Sequence, residues 1–230
     1  MKRNVQGFTL VEIAVVLVII GLLLGGVLKG QELIASARVR NLADQQAGIQ
    51  AAYYGFQDRY RAVSGDMPSS QADNAIQATV NTGGDGNGKV DTDWTEVNAV
   101  WEHLAKSGFL KGSYDGSGSK SDRQTAPANV FNGIQVLARD DGYIDPSSHS
   151  PPDRLVLYMG RNVPAAIARE LDVKLDDGRP ETGVLRNATT SSGVLSGLAG
   201  SANGCTASPN SETIWDIDTN VQDCNPVYLY

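Results

Sequence analysis

From Phe8 to Leu28 the chain reads FTLVEIAVVLVIIGLLLGGVL, 21 residues in which Glu12 is the single charge and Thr9 the single other polar side chain. That is the length an α-helix needs to cross the hydrocarbon core of a bilayer. After Lys29 and Gly30 the pattern changes without breaking. No proline occurs until Pro68, and Leu42, Ile49, Tyr53, Phe56 and Tyr60 recur at steps of 7, 4, 3 and 4, which place them on one helical face. The spacing predicts one helix from Phe8 to about Arg61, on the order of 80 Å at 1.5 Å per residue. Its first half needs lipid or other helices around it. Its second half presents an apolar stripe for a domain to cover.

Beyond Arg61 the composition shifts to Ser, Gly, Asp and Asn, with short periodic elements between long loops. DTDWTEVNAVWEHLAKSGF predicts a helix: Asp93 suits its cap, Glu96 stands three residues on, and Gly108 suits the stop. Val97, Val100, Trp101 and Leu104 form its stripe, and His103 reads as a surface or rim residue. VPAAIARELD predicts a second helix with Pro164 at its first turn. Strands are expected at 130–138, 154–160, 184–186, 213–217 and 227–229. A few short strands beside a long helix imply an α+β fold, with an antiparallel sheet lying over the stripe from Ile49 to Tyr60. The expected organisation is a leader (1–7), a membrane helix (8–28), its continuation (29–62) and a globular head (63–230).

Charge and cysteines sharpen this picture. The chain carries −7, and a chain beginning at Phe8 has 17 basic against 26 acidic residues, or −9. Such a body argues against a general electrostatic grip on nucleic acid. Lys2 and Arg3 ahead of the apolar run keep the leader cytoplasmic by the positive-inside rule, so everything after Leu28 is exported. The run is too long for an ordinary secretory signal, and the one short stretch suited to processing, MKRNVQG, precedes it. In an exported head, Cys205 and Cys224 read as a disulfide closing about 20 residues, worth about 3 kcal/mol; the alternative is two buried thiols. An acid such as Glu12 costs roughly 2.5–3.5 kcal/mol in a membrane helix. It is therefore a functional candidate whose partner must be found, unless it merely snorkels.

The leader ending in Gly7, followed by Phe8-Thr9-Leu10-Val11-Glu12 and the apolar run, resembles type IV pilins and the pseudopilins of type II secretion. The resemblance is close over residues 1 to about 60 and looser beyond. It implies that a prepilin peptidase cuts between Gly7 and Phe8 and that the new amine on Phe8 is methylated. It further implies that Glu12 pairs with the Phe8 amine of a neighbouring subunit. The partners would be other copies or related pilins, the peptidase and an inner-membrane assembly platform. The location would be the bacterial inner membrane, single-pass with the head exported, then a periplasmic or cell-surface filament. Pilin heads are built as a sheet over the N-terminal helix, which agrees with the pattern. LDVKLDDGRPETGVLRN also looks like a stretch from exported domains of this group. The competing expectation is a membrane-anchored periplasmic binding protein or hydrolase that reuses a pilin-type anchor.

Other motifs were weighed for chemistry. In GGDGNGKVDTDWTE, oxygen-bearing side chains recur at Asp85, Asn87, Asp91, Asp93 and Glu96, with a main-chain carbonyl at Lys89. The alternation resembles an EF-hand-like calcium loop, with Lys89 and Val90 as departures from its pattern. The same stretch is no phosphate loop, because Val90 stands where Ser or Thr must hold magnesium. His149 lies among serines and aspartates but without a nucleophile-elbow signature, and reads as part of a surface loop. Tyr143, Trp215 and Tyr228 are candidates for a binding face, against core or rim positions. Gly21, Gly25, Gly26 and Gly30 give two small-xxx-small steps of the kind that let membrane helices approach closely.

Overall fold

The computed structural model describes residues 9–146, 151–189, 202–209 and 212–230. Helix α1 runs from Leu10 to Tyr60 without a break, as the proline-free stretch predicts. The chain divides into two compact units, Met1–Arg38 and Val39–Tyr230. The first contains the apolar part of α1. The second is an α+β head whose first element is the remainder of that helix.

Within the head, α1 buries Val39, Leu42, Ala43, Gln46, Ile49, Ala52, Tyr53 and Phe56. Each has another of the set three or four residues away, so together they form one face. The expected stripe is there, widened by two alanines, a valine and Gln46, while Tyr60 is half-buried. The helix stops where Arg61 turns left-handed (φ 53°) and its N–H closes on the Gln57 carbonyl at 2.9 Å.

Helix α2, Ser69–Ile76, was not expected from the pattern. It buries only Ala72, too little apolar content to leave a periodic signal. Helix α3, Trp94–Lys106, sits where the sequence places it. Asp93 Oδ1 accepts the N–H groups of Thr95 and Glu96 (2.8 and 3.2 Å) as its N-cap, and Gly108 (φ 82°) ends the helix in a left-handed turn. Every residue from Glu96 to Leu104 is buried, which makes α3 the hub of the head.

The main sheet has the order β1–β2–β6–β3 and is antiparallel throughout, with β1 Val136–Asp140, β2 Arg154–Tyr158, β3 Leu185–Asn187 and β6 Pro226–Leu229. Leu157 faces Leu137 on one side and Tyr228 on the other, and Tyr228 in turn faces Leu185. Helix α4, Ala165–Leu175, follows β2. Helix α5, Ala202–Cys205, leads into a two-stranded ribbon of β4, Thr206–Ala207, and β5, Ile214–Trp215. The strand expected at 130–138 begins only at Val136. Asn129 Oδ1 accepts the N–H groups of Phe131 and Gly133 (both 2.8 Å), and its Nδ2 donates to the Met159 and Gly160 carbonyls (3.0 and 2.9 Å). That side chain folds 129–133 into a turn and competes successfully with the strand pattern.

His103 is not a rim residue. It is fully buried, its ring stacked on Phe56 of α1 with centroids 6.1 Å apart. Nδ1 accepts the Gly65 N–H at 3.1 Å, so the proton sits on Nε2, which donates to the Thr82 carbonyl at 3.2 Å. Burial holds its pKa below the ordinary value, with the Thr82 carbonyl and Glu102 opposing. The group is neutral in the fold and protonates more readily when unfolded. Its contribution is complete above about pH 6.5 and is lost as pH falls below that, by up to about 1.4 kcal/mol per unit. Thermal melts of wild-type and His103→Gln chains between neutral pH and mild acid should show the steeper decline in the wild type. Parallel profiles would contradict the neutral, buried imidazole.

Cys205 and Cys224 form a disulfide, with Cα atoms 5.6 Å apart and both residues fully buried. It ties the end of α5 to Cys224, two residues before β6, and β6 lies between two other strands. Reduction is expected to cost about 3 kcal/mol, lowering the melting temperature of the head by roughly 6–12 °C. Melts with and without a thiol reductant measure this, and an unchanged midpoint would refute it.

Candidate functional site

From Leu10 to Leu28 every side chain of α1 is exposed around the whole circumference of the helix, with a mean hydropathy of 2.8 over its most apolar window. A helix that is apolar all round has no face suited to water. It suits a bilayer or the centre of a helix assembly. A side chain added at Gly21, Gly25, Gly26 or Gly30 would meet no described residue within 4 Å.

At the start of this helix the structure shows a contact that sequence reasoning missed. The Glu12 carboxylate accepts through Oε2 from the Thr9 backbone N–H and from the Thr9 hydroxyl, both at 2.8 Å. The Glu12 N–H donates back to Thr9 Oγ1 at 3.3 Å. This is a capping box, the reciprocal Thr-x-x-Glu arrangement that satisfies open N–H groups at a helix start. Caps of this kind are worth about 0.5–2 kcal/mol. The three-residue spacing was legible, but the length of the apolar run drew attention to the membrane and away from the helix terminus. Gly7 and Phe8, the expected cleavage pair, lie outside the described residues.

The loop leading into α3 departs from an EF-hand. Asp93 is spent as the N-cap, and Asp91 is held by Lys89 Nζ (2.8 Å) and Asn87 Nδ2 (2.9 Å). Lys89 and Asn87 themselves lie on the exposed rim. Of the expected carboxylate ligands, Asp85 and Glu96 come together among the described residues, and they are joined by Asp66, from the turn after α1. The three carboxylates offer oxygens within 4.8 Å of one another. Asp66 and Glu96 are each 3% exposed, and neither has a basic side chain in contact among the described residues. Backbone N–H groups hold them instead. Asn87 and Gly88 donate to Asp66 (both 2.9 Å), while Asp91 and Asp85 donate to Glu96 (2.7 and 3.3 Å). Burial raises the Glu96 pKa above the usual carboxylate value, against those N–H bonds. The loop reaches this position because Gly84 passes against Asp66, where a side chain would meet its backbone at 2.6 Å.

The LDDG segment forms a second carboxylate-pinned turn between α4 and β3. Asp172 is fully buried and accepts from Trp215 Nε1 (2.7 Å) and the Gly178 N–H (3.3 Å). Burial pushes its pKa up to about 6 despite those donors. Asp177 accepts from the Arg179 N–H and the Thr182 hydroxyl, and Asp176 from Val184 and Leu185. Trp215 and Tyr143 are each 2% exposed and so belong to the core, whereas Tyr228 is half-buried. They do not make a binding face. His149 lies outside the described residues.

Residues 2–28 match the family described as the prokaryotic N-terminal methylation motif. The chain thus opens with a prepilin-type cleavage and methylation segment, which spans the basic leader, Gly7 and Phe8, the capping box and the apolar run. No curated protein and no solved structure matches the chain.

Proposed function

We propose that this chain is the structural subunit of a type IV pilus or of a related secretion-type filament, assembled through α1. The reading rests above all on one observation: the methylation motif ends in a helix with an apolar surface on every side and one carboxylate at its start. In this account a peptidase removes residues 1–7, and the methylated amine of Phe8 on one copy meets Glu12 on the next. Two opposite charges 4 Å apart attract by about 1 kcal/mol in water and about 4 kcal/mol at the lower effective dielectric of a protein. The pairing therefore gains strength only where water is excluded, as in a core of packed helices. A subunit resting in the membrane is held there by the same apolar surface that later packs against its neighbours, with its head on the exported side.

The mature N-terminus tests the first step. Mass spectrometry of the membrane-extracted protein should find a chain starting at Phe8 and carrying one extra methyl group. Glu12→Ala should reduce shed filaments by at least about tenfold, equivalent to about 1.4 kcal/mol of lost pairing. Wild-type filament yield from that variant would remove the register role. A working protein that kept Met1 would remove the whole reading.

We also propose that the head takes up calcium at Asp66, Asp85 and Glu96 rather than along the whole 85–96 loop. The support is chemical: two buried carboxylates face each other without a cationic side chain, and buried charge needs a counter-charge. The ion would supply that charge and fix the loop against α3. Calcium at about one hundred times its dissociation constant should stabilise the detergent-solubilised chain by about 2.7 kcal/mol, and Glu96→Gln should abolish the gain. Identical melts in calcium and in chelator would contradict the proposal.

A further inference from the structure

We propose that Thr9 is a positioning residue for subunit pairing: it fixes the Glu12 carboxylate by one oxygen and leaves the other presented to the amine of a neighbouring copy. This rests on the proposed pairing of Glu12 and deepens it. All three hydrogen bonds between the two residues engage Oε2 or the backbone, and no described residue donates to Oε1. Thr9 is the only polar side chain besides Glu12 between Phe8 and Leu28. Within that stretch no other side chain can orient the acid. Leu10, Val11 and Ile13 surround it with exposed apolar surface, which in lipid or a helix core offers no water to take the role of Thr9.

The consequence for recognition is geometric. A free glutamate at a helix surface samples several rotamers and must lose them when a partner arrives. A carboxylate already tied at Oε2 has lost that freedom beforehand, and preorganisation of this kind adds affinity without adding contacts. Both donors from Thr9 survive removal of the leader, because the cut falls before Phe8. The capping box can therefore act in the membrane-resident subunit and in the filament alike. It meets the carboxylate's need for donors while the subunit waits, and afterwards it aims the unused oxygen. The arriving group must be a cation with an N–H to give, which is the chemistry of the newly exposed amine.

Co-assembly in the native host separates this role from simple capping. Tagged variants are expressed beside the wild-type chain, and their share in shed filaments is read by mass spectrometry. Thr9→Val, which keeps the shape but not the hydroxyl, should be depleted roughly fivefold relative to wild type, whereas Thr9→Ser should be incorporated within about twofold of it. Glu12→Gln keeps the capping arrangement and loses the charge. In that background Thr9→Val should add less than about a twofold further loss, because there is no longer a charge to aim. Equal depletion by Thr9→Val in both backgrounds would show that the hydroxyl serves only the helix end. Wild-type incorporation of Thr9→Val would overturn the proposal while leaving the Glu12 pairing intact. Wild-type incorporation of Glu12→Gln would instead overturn the pairing itself, and this inference with it.

Discussion

A carboxylate on an otherwise apolar helix has to have its charge answered, and the first turn of α1 answers half of it. Thr9 and Glu12 close a capping box that occupies one carboxylate oxygen and the first open N–H groups of the helix. From Leu10 to Leu28 nothing else in the chain has a polar side chain to offer. Among the described residues, none donates to the remaining oxygen. In the proposed assembly, local helix chemistry and intermolecular pairing meet in one side chain. An isolated apolar helix could tolerate an acid at its start because the terminus needs acceptors there; an assembling one can use the same acid a second time.

The head meets a related problem in a different way. Its sheet is small, and most of its length is loop rich in Gly, Asp, Asn and Ser. What orders those loops is a row of buried polar side chains on α3. Glu102, fully buried, accepts from the Asn81 N–H and amide and from the Gly116 N–H, and pairs with Lys106. Asn98 bonds to the Gly118 carbonyl and to Ser121, while Glu96 and His103 hold the segments around Asp91 and Thr82. Buried polar groups of this kind add stability only when fully paired, and then they specify one arrangement. Such an arrangement makes α3 a spine on one side of which irregular chain is laid down and fastened.

Sequence reading succeeded where a period or a cap decides the structure. The heptad-like face of α1, the Asp93 cap, the Gly108 stop and the run at 154–160 all express local rules that hold without tertiary help. It failed where distant partners decide. His103, expected at a surface or rim, is buried through contacts with Gly65 and Thr82, neither of which is near it in sequence. Asp66 joins Asp85 and Glu96 only through the fold, so a linear search for ligands along the loop had to overlook it. The strand at 130–138 lost its first half to Asn129, whose side chain finds acceptors on the far side of β2. Thr9 was the exception, a local signal that was present and went unread.

The sheet order carries a consequence for biogenesis. β6 is the last strand in the sequence, yet it fills the slot between β2 and β3. If the chain is threaded N-terminus first, as the proposed export requires, β2 and β3 both emerge with that slot empty and their backbone groups unpaired along it. In the folded head both pair with the same latecomer. Until it arrives the chain exposes two adhesive margins, and under the proposed export the interval between threading and sheet closure is when a folding helper or thiol oxidase would matter most.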